Sequence, residues 1–263
     1  MGEINLAYSV AGVFVGCLVG LTGVGGGSLM APILIWFFGI NPAVAVGTDL
    51  WFAAITKAVG GSIHHRIGSP DWQIVKRLAL GSLPAAVLTL VWLGTMHQGK
   101  LESDLLMKLL GGALMLTALL MLAKSRLTSK LKKYHRQVSP QTLQRQLIAT
   151  VAGGAAVGVL VTLTSVGAGA LVAVLLALVY PLRLSAKTIV GSDIIHAVPL
   201  TLVAAIGHSW LGNVDLWLLV SLLIGSVPGI VLGSLLAGKV NDNLVRYALA
   251  VMLVVSAVKL LTS

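Results

Sequence analysis

The sequence predicts an all-α polytopic membrane protein of about ten transmembrane segments, arranged as two inverted-topology repeats of five with short helices after glycine-rich breaks. Three observations lead there. First, 57% of the 263 residues are hydrophobic and only 10% charged, with a mean hydropathy of +0.98, whereas a soluble domain is about a quarter charged. Second, the chain states one string of motifs twice. Leu21-Thr22-Gly23-Val24-Gly25-Gly26-Gly27-Ser28 is echoed by Leu163-Thr164-Ser165-Val166-Gly167-Ala168-Gly169-Ala170. Gly47-Thr48-Asp49-Leu50 is then answered by Gly191-Ser192-Asp193-Ile194, His64 by His208, Asp71 by Asp215, and Gly81-Ser82-Leu83-Pro84 by Gly225-Ser226-Val227-Pro228. The offset is 142 residues at the glycine runs and 144 after them. Third, the basic residues are unevenly distributed. The net charge of +10 signals topology here rather than nucleic acid: seven of the 18 Lys and Arg residues lie between Lys124 and Arg145, with no acidic residue among them.

These observations divide the chain into a first repeat (1–123), a basic cytoplasmic linker (124–145) and a second repeat (146–263). The linker also suits contact with anionic headgroups. The first span, Ile4 to Leu21, reads as retained rather than cleaved, because nothing basic precedes it. Gly12, Gly16 and Gly20 leave one flat face for close helix approach, and Cys17 reads as a small packing residue. A short apolar segment follows, Leu29 to Gly39. Asn41-Pro42 caps a third segment ending near Ile63, and Trp72 to Leu93 and Leu105 to Ala123 complete the repeat. The second half repeats the plan with Leu147 to Leu163, Leu171 to Tyr180, a segment capped by Ser185, Leu216 to Leu236 and a last one from Leu244. If all ten cross, 14 basic residues face the cytoplasm and three face out. If both short segments are re-entrant, the split worsens to eleven against six. Ten crossings, five per half, follow, with the halves inverted as in many secondary transporters. Trp72, Trp92, Trp210 and Trp217 fall where interfacial anchors belong.

Irregular backbone survives at membrane depth only when it is buried in protein or lines a cavity. The two glycine breaks therefore expose backbone amides and the positive end of a short helix, a setting for an anion. This makes Thr22, Gly23, Gly25, Gly26, Gly27 and Ser28 candidate substrate ligands, with Thr164, Ser165, Gly167 and Gly169 from the second break and Thr48, Ser192 and Lys57 from the adjoining helices. A tightly packed helix crossing is the alternative use of the same glycines. Asp49 and Asp193 lie roughly 12 Å into oppositely directed helices, which puts both near the midplane. A carboxylate there costs about 2.5 to 3.5 kcal/mol, so each is either functional or a structural partner to a helix break, Lys57 or His196. With His196 they form the candidate proton-coupling set. His64, His65 and His208 read as loop residues at helix ends, and no metal site or cofactor is indicated.

The glycine-rich string, the Gly47-Thr48-Asp49 element and the Lys57 to Gly68 stretch, with their echoes in the second half, resemble the sulfite exporter TauE/SafE family over essentially the whole chain. The resemblance implies a bacterial inner-membrane transporter for a small sulfur-containing anion such as sulfite, thiosulfate or an organosulfonate. The second half departs from the pattern: Ser165 and Ala168 replace glycines, and no lysine matches Lys57. A passive anion channel and an intramembrane aspartyl hydrolase remain as alternatives. The expected partners are the anion and the lipid bilayer, with room for a homo-oligomer and none for nucleic acid.

Overall fold

The computed structural model describes residues 4–22, 29–64, 70–99, 101–132, 140–167, 169–180, 183–236, 240 and 242–262. Among them are ten helices and no strand: α1 (Leu6–Thr22), α2 (Met30–Phe38), α3 (Pro42–His64), α4 (Trp72–Met96), α5 (Ser103–Lys132), α6 (Pro140–Thr164), α7 (Ala170–Val179), α8 (Ala186–Trp210), α9 (Leu216–Leu236) and α10 (Asp242–Thr262). Six segments, 72–96, 103–123, 143–164, 187–210, 216–236 and 244–262, are long and apolar enough to cross a membrane. Burial runs opposite to that of a soluble protein. Leu80, Leu88, Leu119, Val251 and Leu235 are exposed, while Asp49, Asp193 and His196 are fully buried.

The caps form where short polar side chains precede apolar runs. Asp71 accepts from the Gln73 and Ile74 amides at the start of α4, Ser185 from Thr188 at the start of α8, and Asn41 from Ala43 beside Pro42. One boundary differs from expectation. The described parts of the basic linker are helical, with α5 continuing to Lys132 and α6 starting at Pro140, because Lys, Arg and Leu sustain a helix once it has left the apolar zone.

The glycine faces set the packing. Gly12, Gly16 and Gly20 of α1 lie against the Leu222, Ser226 and Ile230 carbonyls of α9, and Gly225, Gly229 and Gly233 return the contact on Ser9, Val13 and Cys17. A Cβ at any of the six would run into backbone, so only glycine lets the helices touch this closely. Residue numbers rise together along both helices, so α1 and α9 run parallel. The same contact recurs between α4 and α6, where Gly154 faces Leu78, Gly158 faces Ser82, and Gly81 faces Val151. By contrast, α3 and α8 are antiparallel: Trp51 Nε1 donates to Ser209 Oγ at 2.7 Å, tying the first half of α3 to the last turn of α8.

Candidate functional site

Two symmetric contacts fix the middle of the bundle. The Asp215 amide, at the start of α9, donates to Thr48 Oγ1 at 3.1 Å, and the Asp71 amide, at the start of α4, donates to Ser192 Oγ at 2.9 Å. The repeated Gly-Thr/Ser-Asp element thus uses its hydroxyl to receive the start of a helix from the other half, α9 at Thr48 and α4 at Ser192. Gly47 makes room for this, because a Cβ there would strike the Asn213 carbonyl. Of the candidate substrate hydroxyls, those of Thr48 and Ser192 each accept a backbone amide.

Asp49 is fully buried. The Ser165 hydroxyl and the Ala31 backbone amide face its carboxylate, though neither closes to full hydrogen-bond geometry. Ala31 lies in the first turn of α2, just after the first glycine break, and Ser165 opens the second break. Val166 packs in one cluster with Leu29 and Ala31. The two halves therefore meet at Asp49, and the positive end of α2 points at its charge. Ala31 had no signature in the sequence, since what it offers is a backbone N–H.

Eight residues further along α3, the Lys57 ammonium lies within electrostatic reach of Asp193 and of Asp49. His196, one turn past Asp193 on α8, is also in the field of Lys57, and its Nε2 is 2.7 Å from Ser82 Oγ on α4. Ser82 was visible only as part of the duplicated Gly-Ser-x-Pro element. Lys57, Asp193 and His196 are each at most 9% exposed. Lys57 thus interacts electrostatically with an aspartate from each half.

The second break is visible in detail. Thr164 ends α6, and its hydroxyl donates to the Leu160 carbonyl and accepts from the Val166 amide, closing the helix end. Ser165 takes a left-handed conformation (φ 57°), and Gly167 one that favours glycine (φ 111°), before Gly169 starts α7. Of the first-break candidates, Gly23, Gly25, Gly26, Gly27 and Ser28 lie outside the described residues, as does the Thr22 side chain. His65 lies outside them too, together with the His64 side chain. His208 corrects the expectation of a loop residue. It sits in the last turn of α8 at 3% exposure, its Nε2 donates to the Thr162 carbonyl at 2.9 Å, and Asn213 joins it to the Gly99 carbonyl. A free helix-end carbonyl on α6 gave it a buried partner that sequence spacing could not show.

An apolar-surfaced helical bundle with a charged, water-excluded centre between two chain breaks is the architecture of a multi-pass membrane transporter. The chain belongs to the sulfite exporter TauE/SafE family, whose pattern matches residues 8–260. It is 38% identical over 260 residues to the probable membrane transporter protein YjnA of Bacillus subtilis (strain 168), covering 98% of this chain and all of that one. It is also 31% identical over 223 residues to the probable membrane transporter protein YdhB of the same organism, covering 83% of this chain and 84% of that one. A probable membrane transporter protein of Methanocaldococcus jannaschii, MJ0441, is 28% identical across 93% of this chain and 89% of its own length. No solved structure matches.

Proposed function

We propose that this protein is a secondary transporter in a bacterial inner membrane that moves a small sulfur-containing anion by alternating access, coupled to protons. Ten crossings in two inverted halves, with the basic linker in the cytoplasm, complete the reading. Parallel α1 and α9, parallel α4 and α6, and antiparallel α3 and α8 support it, because a repeat unit that packs antiparallel on its own counterpart has an odd number of crossings.

The observation that carries the proposal is the buried Asp49 carboxylate between Ala31 at the start of α2 and Ser165 in the second break. One positive helix end has two anions competing for it, the carboxylate and the substrate. When Asp49 takes up a proton its charge disappears, and the amide end of α2 and Lys57 become available to the substrate anion. Proton and anion then move together, and loss of the proton on the far side expels the anion.

The test is sulfite and thiosulfate flux into proteoliposomes under an imposed pH gradient. Wild type is expected to accumulate anion against its gradient. Asp49→Asn, locked in the neutral form, is expected to bind anion but to lose concentrative uptake by at least about 100-fold, in the range of removing a positioned proton carrier. Wild-type pH dependence in Asp49→Asn would defeat the coupling, and flux that only equilibrates would favour a channel.

A further inference from the structure

Resting on that transport reading, we propose that Arg77 and Arg183 form a second anion site around Tyr180, at the end of the bundle where α5 leaves and α6 enters, which collects the sulfur oxyanion before it reaches the centre. Tyr180 caps α7 and is 1% exposed. Its hydroxyl is 2.9 Å from Thr150 Oγ1, which already donates its one hydrogen to the Gln146 carbonyl at 2.7 Å. Thr150 can therefore only accept, so Tyr180 donates to it, and the Tyr180 oxygen in turn accepts from Arg77 Nη1 at 3.0 Å. The half-buried Arg77 guanidinium thus spends one N–H on a neutral oxygen, and among the described residues no carboxylate pairs with it. A guanidinium drawn partly out of water without a counter-ion is costly, and its remaining donors match the forked geometry of an oxyanion.

Arg183 brings a second cation to the same ring, with its Cζ 5.8 Å from the Tyr180 centroid. Its Nη2 also contacts Asp71 Oδ2 and Gln73 Oε1, both at 3.0 Å, which holds the side chain in place while it stays 42% exposed. The Asp71 amide donates to Ser192, the neighbour of Asp193, so Arg183 is linked towards the central cluster through its contact with Asp71 and that hydrogen bond. Ser82, the partner of His196, lies five residues beyond Arg77 on α4, roughly 7.5 Å along the axis. The repeat-related end keeps the Asp215–Thr48 hydrogen bond but lacks the cations and the tyrosine between them. Ser221 stands where Arg77 does, and the Thr150–Tyr180 pair becomes Tyr8 and Phe38, two rings in edge contact at 4.7 Å. The site is therefore one-sided.

A lipid phosphate offers the same chemistry as a sulfur oxyanion, so the test separates the two. Radiolabelled thiosulfate flux is measured from each face of proteoliposomes of sorted orientation, made of phosphatidylcholine alone or with phosphatidylglycerol. In phosphatidylcholine, Arg77→Gln is expected to raise KM at the linker face by about tenfold, as loss of a charge-assisted hydrogen bond would. KM at the opposite face stays within twofold while the maximal rate from that face falls in proportion, because both directions share one equilibrium and Vmax/KM must fall equally in each, and Arg77→Lys recovers part of the loss. An equal change in KM at both faces, or none, overturns the proposal, and an effect confined to phosphatidylglycerol vesicles assigns the site to a headgroup instead. If wild type carries no anion, the transport reading fails on its own. Equilibrium binding of thiosulfate to the detergent-solubilised protein then decides: tenfold weaker binding in Arg77→Gln supports the site, and unchanged binding overturns it.

Discussion

The α1–α9 crossing and the α4–α6 crossing occupy matching positions in the duplicated string of motifs, yet they differ in use. In α1 and α9 all three contact levels are glycine on glycine: Gly12, Gly16 and Gly20 against Gly225, Gly229 and Gly233. In α4 and α6 the corresponding positions are Gly154, Gly158 and Thr162 against Gly81, Ala85 and Thr89. The backbones still meet at the first two levels, and at the third threonine side chains stand where α1 and α9 have glycine. The same crossing that loses glycines gains chemistry. Ser82 meets His196, whose counterpart in the first half is Phe52, while Ser226, the counterpart of Ser82, has no hydrogen-bond partner among the described residues. The Thr162 carbonyl holds His208, and α4 carries Arg77 where α9 has Ser221. Duplication supplied two equivalent frames. One has kept the closest packing its sequence allows, and the other has exchanged packing for polar contacts that lead to the centre.

The comparison breaks most severely at the tightest level. Gly225→Leu drives a side chain into the Ser9 backbone, and Gly81→Leu drives one into Val151. Both exceed the roughly 1–3 kcal/mol of ordinary overpacking, because backbone cannot yield as a side chain does. Gly225→Leu is expected to leave no monodisperse folded protein in detergent gel filtration. Gly81→Leu is expected to leave a reduced folded fraction, since Ala85 and Thr89 already stand where α9 has Gly229 and Gly233. Equal losses would show that the two crossings are packed alike despite their composition.

The third level is next in size. Exchanging Thr162 for glycine and Gly20 for threonine tests whether the wider crossing is built by its side chains. Gly20→Thr is expected to lower the melting temperature by several degrees, because its Cβ would meet the Ile230 carbonyl. Thr162→Gly loses a hydroxyl that is bonded only within its own helix, to Gly158, and is expected to cost about 1 kcal/mol, mostly through glycine's backbone entropy. A larger loss in Thr162→Gly would mean that the polar crossing depends on that side chain for packing.

The glycine stripes, the caps and nine of the ten helix starts lie within a few residues of where the amino-acid pattern puts them, because apolar length and short polar caps are local signals. Which stripe meets which was not legible, since a glycine every fourth residue marks a close face without naming its partner. The site was legible in part. Asp49, Lys57, Asp193 and His196 stand out because ionisable groups are rare in apolar sequence. Ala31 contributes a backbone amide and Ser82 an ordinary serine, so neither carries a signal of its own. The hydroxyls of Thr48 and Ser192 were conspicuous beside the aspartates, and the structure shows them receiving the Asp215 and Asp71 amides. Spacing along one helix cannot reveal that a turn from the other half lies against it.

The smallest expected effect separates the two serines of the duplicated element. Ser82→Ala removes the 2.7 Å contact to His196 and leaves the ring without a described polar partner, since Nδ1 has none. Hydrogen bonds between membrane helices are worth about 0.6 kcal/mol on average and up to about 1.7, so Ser82→Ala is expected to cost about 1 kcal/mol. It is also expected to slow transport, because His196 loses the contact that orients it beside Lys57. Ser226→Ala removes a hydroxyl that is buried with its oxygen unpartnered, and relieving a polar group of that burial is expected to leave stability unchanged or slightly raised, within about 0.5 kcal/mol. The two variants are chemically identical and related by the repeat, so the substitution itself cancels when their melting temperatures and flux are compared. A difference confined to Ser82 locates the working contact in the α4–α6 frame. Matched losses would place a hydrogen bond on Ser226 as well and make the two frames functionally alike.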